Sequence, residues 1–189
     1  MNGSERNLVA PKSPQPHEVP GVLSDWLIPG FVAGTAGGAL MAVLAVAYAW
    51  IFAGRPLEPL QLVAGLFFRD PSLAGMGPGA AALGLAVHMG VATGVGVAFA
   101  VLLPRGHTAV GAIGLGFLFA LGLYVVMGQI IVPFASPPLD AHLEPLPFFG
   151  LHVAFGACLP LVASTRNVLH KMERLREKLG RWFDAPAHV

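Results

Sequence analysis

The chain has 189 residues, of which 55% are hydrophobic and 11% charged, with a formal net charge of +1. A soluble domain carries about a quarter charged residues, so this composition excludes an ordinary soluble domain. The charges are also segregated, with no Asp, Glu, Lys or Arg between Asp25 and Arg55, Asp70 and Arg105, Arg105 and Asp140, or Glu144 and Arg166.

Each of those gaps holds the ~20 residues needed to cross a hydrocarbon layer ~30 Å thick at ~1.5 Å per residue. The spacing predicts spans over about 27–53, 80–103, 110–132 and 146–164. The expected fold is all-α, an integral membrane bundle of four transmembrane helices. A β-barrel does not fit, because its strands alternate over ~10 residues while these runs are apolar on every face.

In chain order, residues 1–24 are rich in Pro and polar residues without a sustained period and read as a disordered tail. A four-helix transmembrane domain occupies 25–165. In the first span Gly30, Gly34 and Gly38 form overlapping small-xxx-small repeats, which let helix backbones approach in lipid and make self-association through Gly-rich faces an expectation. The loop after it carries a short apolar stretch, Pro59 to Phe68, expected as a helix lying in the outer interface. "LPRGH" then joins spans two and three as antiparallel neighbours. The third span is expected to stop at Pro133, before a Pro-rich loop holding Asp140, His142 and Glu144.

The segment 166–189 differs in kind. Val168, Met172, Leu175, Leu179 and Trp182 recur every three or four residues, an amphipathic helix with a basic polar face. It fits a helix on an anionic leaflet or a short coiled-coil handle, and the leaflet is the preferred expectation. Nine of the eleven basic residues fall inside when both termini are cytoplasmic, which orients the chain by the positive-inside rule. That rule explains the basic helix without nucleic acid. Cys158, the sole cysteine, lies in the fourth span and excludes an intrachain disulfide.

His88 stands in the second span. Residues four apart share a helix face, and reading by fours gives Ala80, Gly84, His88, Ala92, Gly96 and Ala100, a small-residue packing face that points the imidazole into the bundle. His88 lies about 12 Å, and His152 of the fourth span about 9 Å, below the outer boundary. Tyr124 lies at similar depth, with Gln129 above it and Tyr48 slightly higher.

Intramembrane polar residues raise a functional hypothesis by default. The bland alternative is helix glue worth about 0.6 kcal/mol per hydrogen-bonded pair. The sharp one is haem b, with His88 and His152 as axial ligands, Tyr124 and Gln129 in the pocket, and Arg69 or Arg55 meeting the propionates. A metal enzyme built from Asp140, His142, Glu144 and His152 matches no zinc spacing. A proton or solute pathway lacks any intramembrane carboxylate or Lys.

The Gly-rich first span, "GLAVHMGVATGVG" in the second and "FFGLHVAFG" in the fourth resemble small bacterial four-helix inner-membrane proteins of the YagU-like group. The resemblance covers about Pro29 to Ser164. It implies a four-helix fold in the bacterial inner membrane and importance for His88 and His152, and it implies no activity. The leading expectation is a non-enzymatic scaffold or accessory subunit of a membrane complex. The alternative is a bis-histidine haem b electron-transfer protein.

Overall fold

The computed structural model describes residues 21–68, 77–106 and 108–183, which leaves nearly all of the expected tail outside the described residues. No strand occurs among them, and four helices are long and apolar enough to cross a membrane: Val22–Ala53, Gly77–Leu102, Ala109–Ala135 and Pro145–Gly180. This is a multi-pass α-helical membrane protein.

Prolines set where these helices widen or break. The first span opens with a π-helical turn, Val22–Leu27, and continues as α1, Ile28–Ala53. The third begins as α4, Ala109–Val126, passes through a second π-helical turn, Met127–Ile131, and resumes as α5, Val132–Ala135. Both wide turns run up to a proline, Pro29 or Pro133. Proline has no N–H to give and its ring presses on the carbonyl one turn back, and the wider π turn relieves that clash. The helix therefore passes through Pro133 instead of stopping there. No such turn precedes Pro160, and the fourth span breaks there into α7, Pro145–Cys158, and α8, Leu161–Phe183. A tightened turn bridges the break, with Leu159 N–H donating to Gly156 at 3.2 Å and Val162 N–H to Leu159 at 3.0 Å.

The first-span glycines are used inside the chain. A Cβ on Gly34 would lie 2.8 Å from Thr93 Cα, one on Gly38 2.6 Å from Ala92 Cβ, and one on Gly30 2.8 Å from Val97 N. These contacts seat α1 on α3, Gly77–Leu102, and the Thr35 and Thr93 hydroxyls hydrogen-bond across the seam at 3.3 Å. α4 packs instead on α7, where a Cβ on Gly156 would meet Ala120 Cβ at 2.7 Å. The tight connection thus joins α3 and α4 without packing them backbone to backbone. They meet through the Phe99 and Phe119 rings, 5.3 Å apart.

At the loop end, α2, Glu58–Phe68, lies where the sequence predicts a short helix. It is clamped onto α3, because Gly84 has no side chain to obstruct the Leu60 carbonyl, and Gln61 Nε2 donates to Gly77 at 3.2 Å. Ser136 Oγ donates to the Leu62 carbonyl at 3.0 Å and ties α2 to the start of α6, Pro137–His142. Buried Phe155, Leu159 and Val162 fill the other half of the core.

α8 carries on alongside α1. Gly37 faces Phe155 and Cys158, and Asp25, one stretch back along the first helix, meets Arg166 and His170. An equal step backward on one helix matches the step forward on the other. α8 therefore leaves the bundle along its axis and does not turn aside before His170.

Candidate functional site

The small-residue face of α3 positions His88. Ala80, Gly84, Ala92, Gly96 and Ala100 are buried against neighbouring helices, so the histidine among them is carried inward. His88 Nε2 donates to the Gly38 carbonyl of α1 at 2.9 Å. A carbonyl only accepts, so Nε2 carries the proton and Nδ1 keeps a lone pair.

His152 comes from α7 and is 4% exposed. Its Nδ1 donates to the Phe148 carbonyl one turn earlier at 2.9 Å, so Nε2 holds the lone pair. Phe148 and Tyr124 brace the ring, with centroids 4.4 and 5.8 Å away.

Both histidines line one cavity of about 180 Å³ between α3 and α4, roofed by α2 and the Ser136–Leu139 stretch. The rest of its wall is almost wholly apolar, including Met41, Val91 and Ile131. The histidine pair named from the sequence thus converges. The other members of that group do not join it. Tyr124 supports His152 from behind and is no part of the wall, and Gln129 is exposed on the outside of its helix. Tyr48 turns away to give its hydroxyl proton to Glu144 at 2.8 Å, and Arg55 pairs with Glu58 at 3.0 Å. Arg69 lies outside the described residues. Asp140, His142, Glu144 and His152 are not gathered, since no group of three or more His, Cys, Asp or Glu among the described residues is placed to hold a metal ion.

A second polar centre sits at the opposite end of the bundle, around Asp25. Asp25 is 4% exposed and receives Arg105 Nη2 at 3.1 Å and His170 Nε2 at 2.8 Å. Arg166, 5% exposed, donates through Nε to the Asp25 carbonyl at 2.6 Å, through Nη1 to Leu103 at 3.2 Å, and through Nη2 to Ala100. The last carbonyls of a helix lack intrahelical partners and carry its negative dipole end. One guanidinium therefore closes the end of α3 and binds it to the start of the first span and the foot of α8. Trp26 backs the cluster, 5.9 Å from Arg105 Cζ. The sequence signal for this centre was Asp25 itself, a lone acid at the border of an apolar run.

Beyond His170, residues 171–180 are exposed on every side. The expected stripe is described as far as Leu179, and its members Val168, Met172, Leu175 and Leu179 are 57%, 60%, 51% and 60% exposed. On the helix wheel Lys171, Arg176 and Lys178 flank it, and Glu173 and Glu177 lie away from it.

Compared with known proteins, the chain matches no family model, no curated protein and no solved structure.

Proposed function

We propose that this chain is a non-enzymatic accessory or scaffold subunit of a membrane complex, in the bacterial inner membrane with both termini in the cytoplasm. The observation that supports it is α8. The first turns of this helix are fixed to the bundle through Arg166 and His170, and its later turns bear an apolar stripe that no described residue covers. From Lys171 to Phe183 the helix adds about 20 Å of reach. Its run alongside α1 supports a projecting handle over a helix lying on the leaflet.

The flanks select the occupant. In a self-paired coiled coil Lys171, Arg176 and Lys178 would face one another, and like charges at such positions oppose pairing. An acid-rimmed apolar groove on a partner subunit complements both the stripe and its flanks. Photo-crosslinkers at Met172 and Leu179, in cells, test this. One discrete partner band, lost when Leu175 is changed to Glu, supports the reading. Adducts to lipid or to a second copy alone contradict it.

A second reading, a bis-histidine haem b electron-transfer protein, is supported by the shared cavity of His88 and His152. The donor set fits, because each ring has one nitrogen held by a carbonyl and one lone pair free, as metal-bound histidines do. The volume does not, because about 180 Å³ falls below the roughly 300 Å³ at which pockets for drug-sized ligands begin. A macrocycle requires α3 and α4 to part. An oxidised-minus-reduced optical spectrum of the purified protein decides it. A Soret band lost in His88→Ala and His152→Ala supports haem, and a colourless preparation from haem-replete cells rejects it.

A further inference from the structure

We infer that the cavity between α3 and α4 is a binding site for a single hydroxylated aromatic ring that arrives from the bilayer, a phenol or quinol whose hydroxyl donates to His152 Nε2. This site stands apart from the α8 handle and needs no haem.

Three observations carry it. The first is the histidine. His152 is 4% exposed, its Nδ1 is committed to Phe148, and Nε2 has no hydrogen-bond partner among the described residues. No side-chain nitrogen or oxygen there is both fully buried and unpartnered. His152 lines the cavity, and Nε2 is the ring nitrogen that Phe148 leaves free. An acceptor among mostly apolar residues gains free energy when a donor meets it.

The second is chemical sign. Carbonyl partners fix both tautomers, so His88 and His152 each keep a lone pair where a protonated imidazole would offer a donor. Ser136, the third polar residue of the wall, spends its proton on the Leu62 carbonyl. The site therefore asks its ligand for hydrogen-bond donors and offers it none.

The third is size and access. About 180 Å³ of mostly apolar wall is close to the ~150 Å³ cavity known to hold one benzene ring. Val91 of α3 and Ile131 at the end of the third-span π turn both line the cavity and are 45% and 44% exposed on the outside of the bundle. A tail on the ring can leave between them into lipid, where α3 and α4 are not packed together.

A matched pair that differs by two hydrogen atoms supplies the test. Decylhydroquinone carries two hydroxyl donors, and decylbenzoquinone carries only acceptors. Each is titrated into the full chain in lipid nanodiscs, with ¹⁵N-labelled histidine followed by NMR. The quinol should bind saturably and about tenfold tighter than the quinone, the worth of one hydrogen bond to a buried acceptor. It should move the His152 Nε2 resonance as that lone pair becomes an acceptor. His152→Phe should erase the preference while keeping the ring packing. Should that variant not fold, Val91→Trp at the exposed mouth should abolish quinol binding. A phenol without the tail should bind more weakly if the ligand is a lipid and equally well if it is free phenolic. Equal binding of quinol and quinone, no saturable binding of either, or binding that leaves the His152 resonance unmoved overturns the inference.

Discussion

Asp25 and Arg166 are 141 residues apart in sequence, and the Arg166 guanidinium donates to the Asp25 main-chain oxygen at 2.6 Å. This contact ties three of the four spans together. The side chain that holds Asp25 also holds the Ala100 and Leu103 carbonyls, so the start of the first span, the end of the second and the foot of α8 share one cation.

Arg166→Met should therefore cost about 3 kcal/mol, as when one partner of a buried charged set is removed. Arg166→Lys should recover little, because one ammonium lacks the planar fork that serves three carbonyls. Denaturant titration of the purified protein in detergent measures both, and a loss under about 1 kcal/mol for Arg166→Met would show that the guanidinium is dispensable.

Asp25→Asn should do more harm than His170→Ala. The first change leaves Arg105 and Arg166 with no counter-charge, and the second removes a partly exposed pair worth at most about 1 kcal/mol. Limited proteolysis reads this directly, with α8 released from the bundle and cut faster in Asp25→Asn.

Two glycines of one helix should respond with opposite sign. A Cβ on Gly84 runs into the Leu60 carbonyl, while one on Gly90 meets nothing within 4 Å. Gly84→Ala should lose about 1–3 kcal/mol through overpacking. Gly90→Ala should gain up to about 1 kcal/mol of helix propensity. Thermal unfolding compares the two, and equal effects would contradict the α2–α3 clamp.

The α8 stripe should be silent in stability. Leu175 and Leu179 are more than half exposed, so Leu175→Ser with Leu179→Ser should leave the melting temperature within about 1 °C of the parent, as surface changes do. The same pair should abolish the crosslinked partner band. A large loss of stability would place the stripe against the bundle.

The sequence carried part of this. Four spans were legible because charge cannot sit cheaply in lipid, and the inward aim of His88 was legible because Gly and Ala every four residues mark a close-packed face. The short helix over Glu58–Phe68 was legible from its apolar side. Hidden were features that depend on what lies opposite. Nothing local says that Pro29 and Pro133 would be absorbed by wide turns while Pro160 breaks its span. Chain order suggested α3 beside α4, yet the matching small faces put α3 on α1 and α4 on α7. Tyr48 shares its depth with the histidines and still faces Glu144. The Asp25 cluster was least visible, because its partners lie 80, 141 and 145 residues away.

Nitroxide accessibility tests most directly whether α8 is a free-standing handle. Spin labels placed singly at Met172, Leu175 and Leu179, in protein reconstituted into anionic bilayers without a partner, report whether each site meets water or lipid. A free-standing handle predicts high collision rates with a water-soluble nickel complex and low rates with oxygen at all three. Oxygen-rich, nickel-poor values would place the stripe in the leaflet, and α8 would then be a membrane anchor instead of a docking helix.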